Sequence, residues 1–254
     1  MMSLAAKMSP WRFLKYTLSF TIPLATLASL MSDGNWTWLA IAYSFGFLPF
    51  MELILPSAKK NLTDAEREVV SEDPLYDGLL WSMVLIQWGL LGYFIWDLAQ
   101  GGRTMWSLEW WGCVSAMGLS CSILGINVAH ELGHRKEKHN HWMSQALLVT
   151  SLYTHFFIEH NQGHHRNVAT LEDPATARRN EWLFTFWFRA VFMAWWSGWK
   201  IEAKRLRRKG MTPWHSSNVF LRLQLIQWGL LAAVWAVFGW EVGVAWLIAG
   251  AFGG

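Results

Sequence analysis

The chain has 254 residues, of which 53% are hydrophobic and only 15% are charged, and its net charge is +3. Soluble domains usually carry about 25% charged residues, so the composition excludes an ordinary soluble enzyme, and the small net charge gives no reason to expect a nucleic-acid partner. The apolar residues form long blocks, and blocks of roughly 18 or more residues predict transmembrane helices. We therefore expect an all-α fold, a polytopic membrane helical bundle.

The first half of the chain predicts four membrane-spanning helices joined by polar segments. These predicted spans are residues 14–31, 36–55, 79–99 and 105–128. A basic lead of residues 1–13 runs directly into the first span, which is unlike a cleavable signal peptide. Residues 57–78 carry mixed charges and predict a polar loop with an interfacial helix.

Basic residues predict which side of the membrane each end of a span occupies, because Lys and Arg concentrate in cytoplasmic loops. The lead, the 57–78 loop and the segment from Arg135 to Lys138 are the ends rich in Lys and Arg. The polar region that begins at His130 is therefore expected on the cytoplasmic side of a bacterial-type inner membrane.

Two later apolar segments, residues 142–158 and 182–199, are compatible with spanning the membrane or lying at its interface. Histidine motifs lie on both sides of the first segment, and ligands of one metal site cannot lie on opposite faces of a hydrocarbon layer about 30 Å thick. We therefore expect both segments to be non-spanning. Residues 219–240 predict a fifth span, and a further apolar segment begins at Glu241.

Five histidines form two motifs, His130-Glu-Leu-Gly-His134 and His160-Asn-Gln-Gly-His164-His165. Residues four apart share one face of an α-helix, so His130 is expected over His134 and His160 over His164. His165 is expected about 100° further round the second helix. Neutral imidazole binds zinc, iron, copper and nickel, and the two motifs together predict a metal site with all five histidines as ligands.

The other four histidines favour structural roles. His139 and His141 lie in a polar turn, and His215 follows Pro213-Trp214 in a loop. His155 lies within an apolar run, where a packed or site-lining histidine is more common than a ligand.

Five imidazoles exceed the three protein ligands of a typical hydrolytic zinc site, which favours two metal ions. Two iron ions at a membrane face suit oxygen activation against an unactivated C–H bond of a lipid-soluble substrate. Carboxylates usually orient such imidazoles by accepting their second N–H. The candidates for this outer-shell role are Glu131, Glu159 and Asp173, each of which also fits a solvated or helix-capping acid.

The first motif alone also matches HExxH, the helix of zinc proteases in which the glutamate is the general base. An intramembrane zinc protease is therefore an alternative. Such an enzyme needs a further ligand, typically a distant Asp on another helix. The polar residues of the later apolar segments include Gln224, Gln227 and Glu241 but no such Asp.

The motifs and their surroundings closely resemble those of the alkane 1-monooxygenases, which are integral-membrane, non-haem di-iron alkane hydroxylases. The resemblance lies in His130–Lys136, in Tyr153-Thr-His-Phe-Phe-Ile-Glu-His160, in Gly163–Thr170 and in Asp173-Pro-Ala-Thr176. The broader histidine pattern is shared with membrane fatty-acyl desaturases and xylene-type monooxygenases. Val168-Ala-Thr170 and Asp173-Pro-Ala175 favour the alkane group over these two alternatives.

The resemblance implies an oxidoreductase of lipid metabolism that uses O2 and two Fe ions to hydroxylate medium-chain n-alkanes at the terminal carbon. It also implies six spans, with the alkane in a channel between spans one to four, and His130, His134, His160, His164 and His165 as iron ligands. The resemblance further implies that electrons come from rubredoxin and its NADH-dependent reductase. The only cysteines, Cys113 and Cys121, do not form an iron-binding cluster, so an external electron donor is consistent with the sequence. The basic segment 200–209 suits either an acidic electron-transfer protein or anionic lipid headgroups.

The sequence departs from the family pattern after the fifth span. The family continues with an Asn-Tyr-x-Glu-His-Tyr-Gly segment and a His-Ser-Asp-His-His segment, and neither occurs in this chain. We therefore expect residues 1–254 to form a single di-iron hydroxylase domain that is incomplete at its C-terminus, with about five complete spans, and to be inactive alone.

Overall fold

The structure, a computed structural model, describes residues 14–55 and 74–254, and the regular structure within these ranges is helical. The α-helices are α1 Thr21–Leu30, α2 Leu39–Ala42, α3 Leu48–Ile54, α4 Pro74–Ala99, α5 Leu108–Ser120, α6 Val128–His134, α7 Lys138–Thr150, α8 Phe156–Glu159, α9 His165–Asn167, α10 Leu183–Arg208, α11 Val219–Phe238 and α12 Trp240–Gly253. Shorter 3-10 turns occupy Thr17–Phe20 and Gly34–Trp38. Wider π-helical turns occupy Tyr43–Phe47, Cys121–Asn127 and His160–His164. The chain divides into two compact units between Ser120 and Cys121.

Four helical stretches of the described residues are long and apolar enough to cross a membrane. They are Gly34–Ile54, Pro74–Ala99, Leu108–His134 and Val219–Phe238, which correspond to the second, third, fourth and fifth predicted spans. The prediction of an all-α fold with several membrane-spanning helices is therefore confirmed. The described part of helix α4, Pro74–Ala99, includes residues before the predicted start at Leu79.

The first predicted span remains a prediction. Its described part contains the 3-10 turn Thr17–Phe20 and the ten-residue helix α1. Residues 1–13 and most of the predicted 57–78 loop, with its interfacial helix, lie outside the described residues.

Neither of the two disputed segments is among the four candidate spans. The first segment is broken into α7 and α8, and Leu152 between them has a φ of 52°, a left-handed conformation that no α-helix accommodates. Helix α7 has 13 residues, which makes it about 20 Å long and too short to cross a hydrocarbon core of about 30 Å. Helix α10 is long enough but ends in a strongly basic turn.

In the first unit, Arg103 fixes the turn between α4 and α5. Its side chain is only 6% exposed and donates to Asp97 Oδ2 at 2.6 Å. It also donates to the main-chain oxygens of Leu30 at 2.8 Å and Ser32 at 3.0 Å. One guanidinium thus satisfies two carbonyls, one in the last residue of α1 and one just beyond it, where main-chain acceptors lack helical partners.

In the second unit, Ser151 marks a close approach of three segments. Its hydroxyl donates to the oxygen of Cys121 at 2.9 Å, and its side chain occupies the space that a Cβ at Gly125 would need. Its main-chain oxygen lies 2.9 Å from the position of a Cβ at Gly250. The two glycines therefore let the π-helical turn Cys121–Asn127 and helix α12 pack against the end of α7, and Trp246 adds a hydrogen bond to Thr150 O at 2.8 Å.

Glu202 joins α10 to α11. Its carboxylate is buried and accepts two hydrogen bonds from Arg205, both at 2.6 Å, and one from the backbone N–H of Val219 at 2.7 Å. Burial alone raises the pKa of Glu202, but these hydrogen bonds outweigh it and hold the pKa below its usual value. The ionised side chain satisfies a first-turn N–H of α11 that has no helical partner.

We expect Glu202→Ala to lower the free energy of unfolding by about 3 kcal/mol, because the change leaves Arg205 and the Val219 N–H without their buried partner. Denaturant unfolding in detergent measures this loss. Glu172→Ala removes an exposed carboxylate and is the matched control, for which the expected change is within about 0.5 kcal/mol. Equal losses in the two variants would contradict the joining role of Glu202.

Candidate metal centre

The first histidine motif lies on α6, at the end of the apolar stretch Leu108–His134. The rings of His130 and His134 are 4.6 Å apart between centroids, as expected for residues one turn apart. Helix α7 holds α6 in place, since the hydroxyl of Ser144 donates to Ala129 O at 2.6 Å. The predicted stacking of this motif on one helix face is confirmed.

The second motif does not form the α-helical turn that the spacing predicts. Residues His160–His164 form a π-helical turn, in which five residues rather than four separate hydrogen-bonded groups. This wider turn brings His165 back over His160, with their Nε2 atoms 3.0 Å apart. His164 points its Nδ1 instead toward Asp173, so the histidines that converge from this motif are His160 and His165.

Four imidazoles therefore meet at one place in the second unit: His130, His134, His160 and His165. One nitrogen from each ring lies within 4.8 Å of all the others. The Nε2 atom of His165 lies 3.2 Å from Nε2 of His134 and 3.0 Å from Nε2 of His160. Two pairs of rings from different helices thus face a common point.

The donor set fits a transition-metal ion. Ligand nitrogens lie about 2.0–2.1 Å from such an ion, so two of them at near right angles are about 3 Å apart. The Nε2–Nε2 separations of 3.0 and 3.2 Å match this geometry. Four nitrogen donors without thiolates suit zinc, copper, iron or nickel and do not suit magnesium or calcium, which prefer oxygen ligands.

The charge state of the cluster also suits a metal. Burial lowers the pKa of His160 to about 3, and the four neighbouring imidazoles add to this effect because protonating any one of them disfavours protonating the next. Neutral His160 retains the lone pair that a metal ligand requires. Phe156 stacks on its ring with centroids 4.5 Å apart and shields one face of it from water.

His164 lies beside this cluster and is held by Asp173. The His164 Nδ1 atom is 3.0 Å from Oδ2 of Asp173, whose side chain is fully buried. Burial raises the pKa of Asp173, but hydrogen bonds from Thr176, His164 and the Ala175 N–H outweigh it, so the pKa stays below its usual value. An ionised carboxylate only accepts hydrogen bonds, which places the proton on Nδ1 of His164 and leaves its Nε2 free to bind a metal.

The other two predicted carboxylates have different surroundings. Glu131 is half exposed, and its Oε1 lies 3.1 Å from Arg135. Glu159 is buried, and its Oε1 has no hydrogen-bond partner among the described residues. Burial, aided by nearby Asp173, raises the pKa of Glu159 to about 7. The outer-shell role of both residues stays a prediction.

The remaining histidines lie outside the cluster. His141 Nε2 is 2.6 Å from Arg135 O, and His215 Nδ1 accepts from the N–H of Ser217 at 3.1 Å. Sequence reasoning missed the packing of Phe156 on His160. The spacing could have predicted this contact, because Phe156 precedes His160 by four residues in an apolar helical run.

Comparison with known proteins identifies the family. Residues 105–254, which contain all the motif histidines, match the fatty acid desaturase family model. The chain belongs to the fatty acid desaturase family. Membership agrees with the apolar helices and the histidine cluster, and the chain is a multi-pass membrane protein with a metal site.

Individual relatives show which members of the family this chain is similar to. The chain is 33% identical to alkane 1-monooxygenase 1 of Alcanivorax borkumensis over 213 residues, which cover 83% of this chain and 52% of that protein. It is 34% identical to alkane 1-monooxygenase of Pseudomonas putida over 230 residues, covering 89% and 56%. The hydroxylase component of xylene/toluene monooxygenase from Pseudomonas putida is 30% identical over 209 residues, covering 78% and 53%. The chain thus spans about half the length of these relatives, and the predicted resemblance to alkane 1-monooxygenases is confirmed.

We expect His160→Ala to remove most of the bound metal, because His160 lies between the other cluster histidines. Elemental analysis of the purified protein by mass spectrometry measures the metal per chain. His215→Ala, in an exposed loop, is the matched control and is expected to retain the metal. Equal metal loss in both variants would show that the cluster is wrongly assigned.

We expect Asp173→Asn to lower the affinity for Fe(II) by about 10–100-fold, the usual cost of losing an outer-shell carboxylate. An anaerobic Fe(II) titration measures the affinity. Glu172→Gln changes the neighbouring, exposed acid and should leave it unaltered. An unchanged affinity in the Asp173 variant would contradict the outer-shell role of Asp173.

Proposed function

We propose that this chain belongs to an enzyme that hydroxylates medium-chain n-alkanes at the terminal carbon and forms 1-alkanols. The observation that carries the proposal is the convergence of four imidazoles at the end of an apolar helix. Similarity to proteins named alkane 1-monooxygenase supports this substrate class. The balanced reaction consumes one alkane, O2, two electrons and two protons, and gives the alkanol and water.

We propose a non-haem di-iron centre, with His130, His134, His160, His164 and His165 as this chain's ligands. The four-histidine cluster offers one ion a nearly complete set of nitrogen donors. His164 faces Asp173 outside that cluster, which suits a ligand of a second ion. When bound, the iron supplies the redox chemistry that activates O2 toward an unactivated C–H bond.

The chain's own residues would prepare this centre. Neutral His160 offers a lone pair, and Asp173 fixes the ring of His164 so that one nitrogen stays available. Phe156 covers the cluster with its ring, 4.5 Å from the His160 ring and 6.3 Å from the His130 ring. Exclusion of water by such a wall protects a strongly oxidising reaction from side reactions.

We propose rubredoxin, reduced by an NADH-dependent reductase, as the electron donor, and the cytoplasmic side as the location of the metal site. A groove of about 530 Å³ beside Gly163 supports a docking role, since Arg166, Lys204, Arg208 and Lys209 line it. The same basic segment suits anionic lipid headgroups. These basic residues support a cytoplasmic location for this face, because Lys and Arg concentrate in cytoplasmic segments.

Three alternative functions predict different products. A xylene-type monooxygenase would oxidise an aromatic methyl group, and a desaturase would introduce a double bond into a fatty acyl chain. An intramembrane zinc protease, for which HExxH is the supporting motif, would cleave a peptide and bind one zinc ion. The half-exposed Glu131, paired with Arg135, gives no particular support to a role as the protease's base.

We expect the enzyme to which this chain belongs, loaded with iron in lipid nanodiscs and supplied with reduced rubredoxin and ¹⁸O2, to convert octane into ¹⁸O-labelled 1-octanol. Gas chromatography with mass spectrometry measures the product, and elemental analysis measures the iron. Boiled protein and unlabelled O2 are the controls. Oxidation of toluene but not octane, desaturation without oxygen incorporation, or peptide cleavage with one zinc per chain would each contradict the proposal.

A further inference from the structure

An apolar cavity of about 550 Å³ lies within the second unit. Its walls come from α10, α11, α12 and the segment that joins α7 to α8. Small-molecule sites usually have volumes of about 300–1,000 Å³. Trp187, Val191, Phe192, Trp228 and Leu247 give the walls an apolar character that suits an alkyl chain.

Two polar residues of the wall, Gln224 and Gln227, have protein partners. Gln227 Oε1 accepts hydrogen bonds from the N–H of Thr154 at 3.1 Å and from its hydroxyl at 2.8 Å. Gln224 Oε1 accepts from Trp195 at 3.0 Å and Trp228 at 3.1 Å, while its amide donates to Thr154 at 2.9 Å. These hydrogen bonds hold the two glutamine side chains in place and occupy the Oε1 atoms of both.

His155 also lines the cavity but lacks such a partner. The residue is 4% exposed, and its Nε2 atom has no hydrogen-bond partner among the described residues. Burial lowers the pKa of His155 to about 4, so the ring is neutral at physiological pH. A buried polar atom without a partner costs about 1–3 kcal/mol, and a ligand hydroxyl would remove this cost.

The polarity of the wall selects the ligand's head group. Among the described residues that line the cavity there is no Lys, Arg, Asp or Glu. An ionised carboxylate or phosphate would therefore enter an apolar site without a compensating charge, which is strongly unfavourable. An uncharged hydroxyl requires no such charge and both donates and accepts hydrogen bonds.

We propose that this cavity binds a primary alkyl alcohol, with its chain along the aromatic wall and its hydroxyl hydrogen-bonded to Nε2 of His155. The identity of the alcohol as the reaction product rests on the proposed function. An unsubstituted alkane fits the walls but leaves His155 without a partner, so the site distinguishes product from substrate.

The cavity is next to the histidine cluster yet separate from it. Tyr153 lines the cavity, and its ring lies 5.9 Å from that of Phe156, which in turn stacks on His160. Phe156 therefore forms an aromatic layer between the cavity wall and the proposed ligands. A molecule in the cavity is positioned for storage or release rather than for reaction at the metal.

The test compares two photoreactive probes of equal length, a 1-dodecanol and a dodecane that each carry a mid-chain diazirine. Labelling of the purified protein without an electron donor prevents turnover, and mass spectrometry locates the cross-links. We expect the alcohol to label peptides containing Val191, Phe192 and Leu247 about fivefold more than the alkane, since one neutral hydrogen bond favours binding by about this factor.

We expect His155→Leu to reduce alcohol labelling to the level of the alkane, and His155→Gln, which keeps a polar group, to restore part of the preference. His139→Leu changes an exposed histidine and is the matched control. If His155→Leu does not fold, the alcohol-to-alkane ratio in the unaltered protein still decides the proposal.

Equal labelling by the two probes, or a preference that both leucine variants retain, would overturn the alcohol site and indicate a gap filled by lipid tails. The result is independent of catalysis. Failure of the enzyme to which this chain belongs to hydroxylate octane, with a retained alcohol preference, would contradict the proposed function alone. Octane hydroxylation without the alcohol preference would contradict the alcohol site alone.

Discussion

The second unit depends on one constraint, which is that four imidazole nitrogens lie within 4.8 Å of one another. Without a cation such a cluster is unfavourable, because the rings lose water on burial and protonating any one of them raises the cost of protonating the rest. A bound metal ion offsets both costs and adds stability that an unfolded chain cannot gain. The packing of α6 on α7 and of Phe156 on His160 holds the rings in this arrangement.

The π-helical turn at His160–His164 decides which histidines converge. An α-helical turn would have placed His164 over His160 and His165 away from it. The wider turn exchanges their roles, so that His165 completes the cluster and His164 meets Asp173. One local change of helical pitch thus separates the proposed ligands of the four-histidine cluster from His164, which lies beside Asp173. Turns of this π-helical kind are common at functional sites.

The sequence predicted the features that depend on local spacing and composition. The stacking of His130 over His134 follows from the 3.6-residue period of the α-helix. Four of the spans follow from the length of their apolar segments. The sequence did not predict the π-turn. Within this turn Gly163 lies close to Ile201 of α10, whose Cδ1 is 3.0 Å from the position of a Cβ at residue 163, and a contact between such distant segments is not deducible from spacing along the chain. Nor did it predict the break at Leu152, since the left-handed conformation of a leucine depends on its surroundings.

Long-range polar contacts were the least predictable part. Asp173 was one of three candidate carboxylates, and only its position beside His164 distinguishes it from Glu131, whose carboxylate pairs with Arg135. His155 was expected to be packed or site-lining, and the structure places it in a cavity wall with one nitrogen unsatisfied. Both features depend on residues that are near in space and are not deducible from spacing along the chain.

X-ray absorption at the iron K-edge, measured on the purified protein loaded with Fe(II), reports which atoms surround the iron. If these histidines hold the metal, we expect a first shell rich in nitrogen near about 2.1 Å, a distance typical of imidazole ligands, together with the outer-shell scattering of imidazole rings. We expect this scattering to weaken when His165 is replaced by alanine. A shell of oxygen atoms alone, or a spectrum that the His165 replacement leaves unchanged, would contradict the claim that these histidines hold the metal.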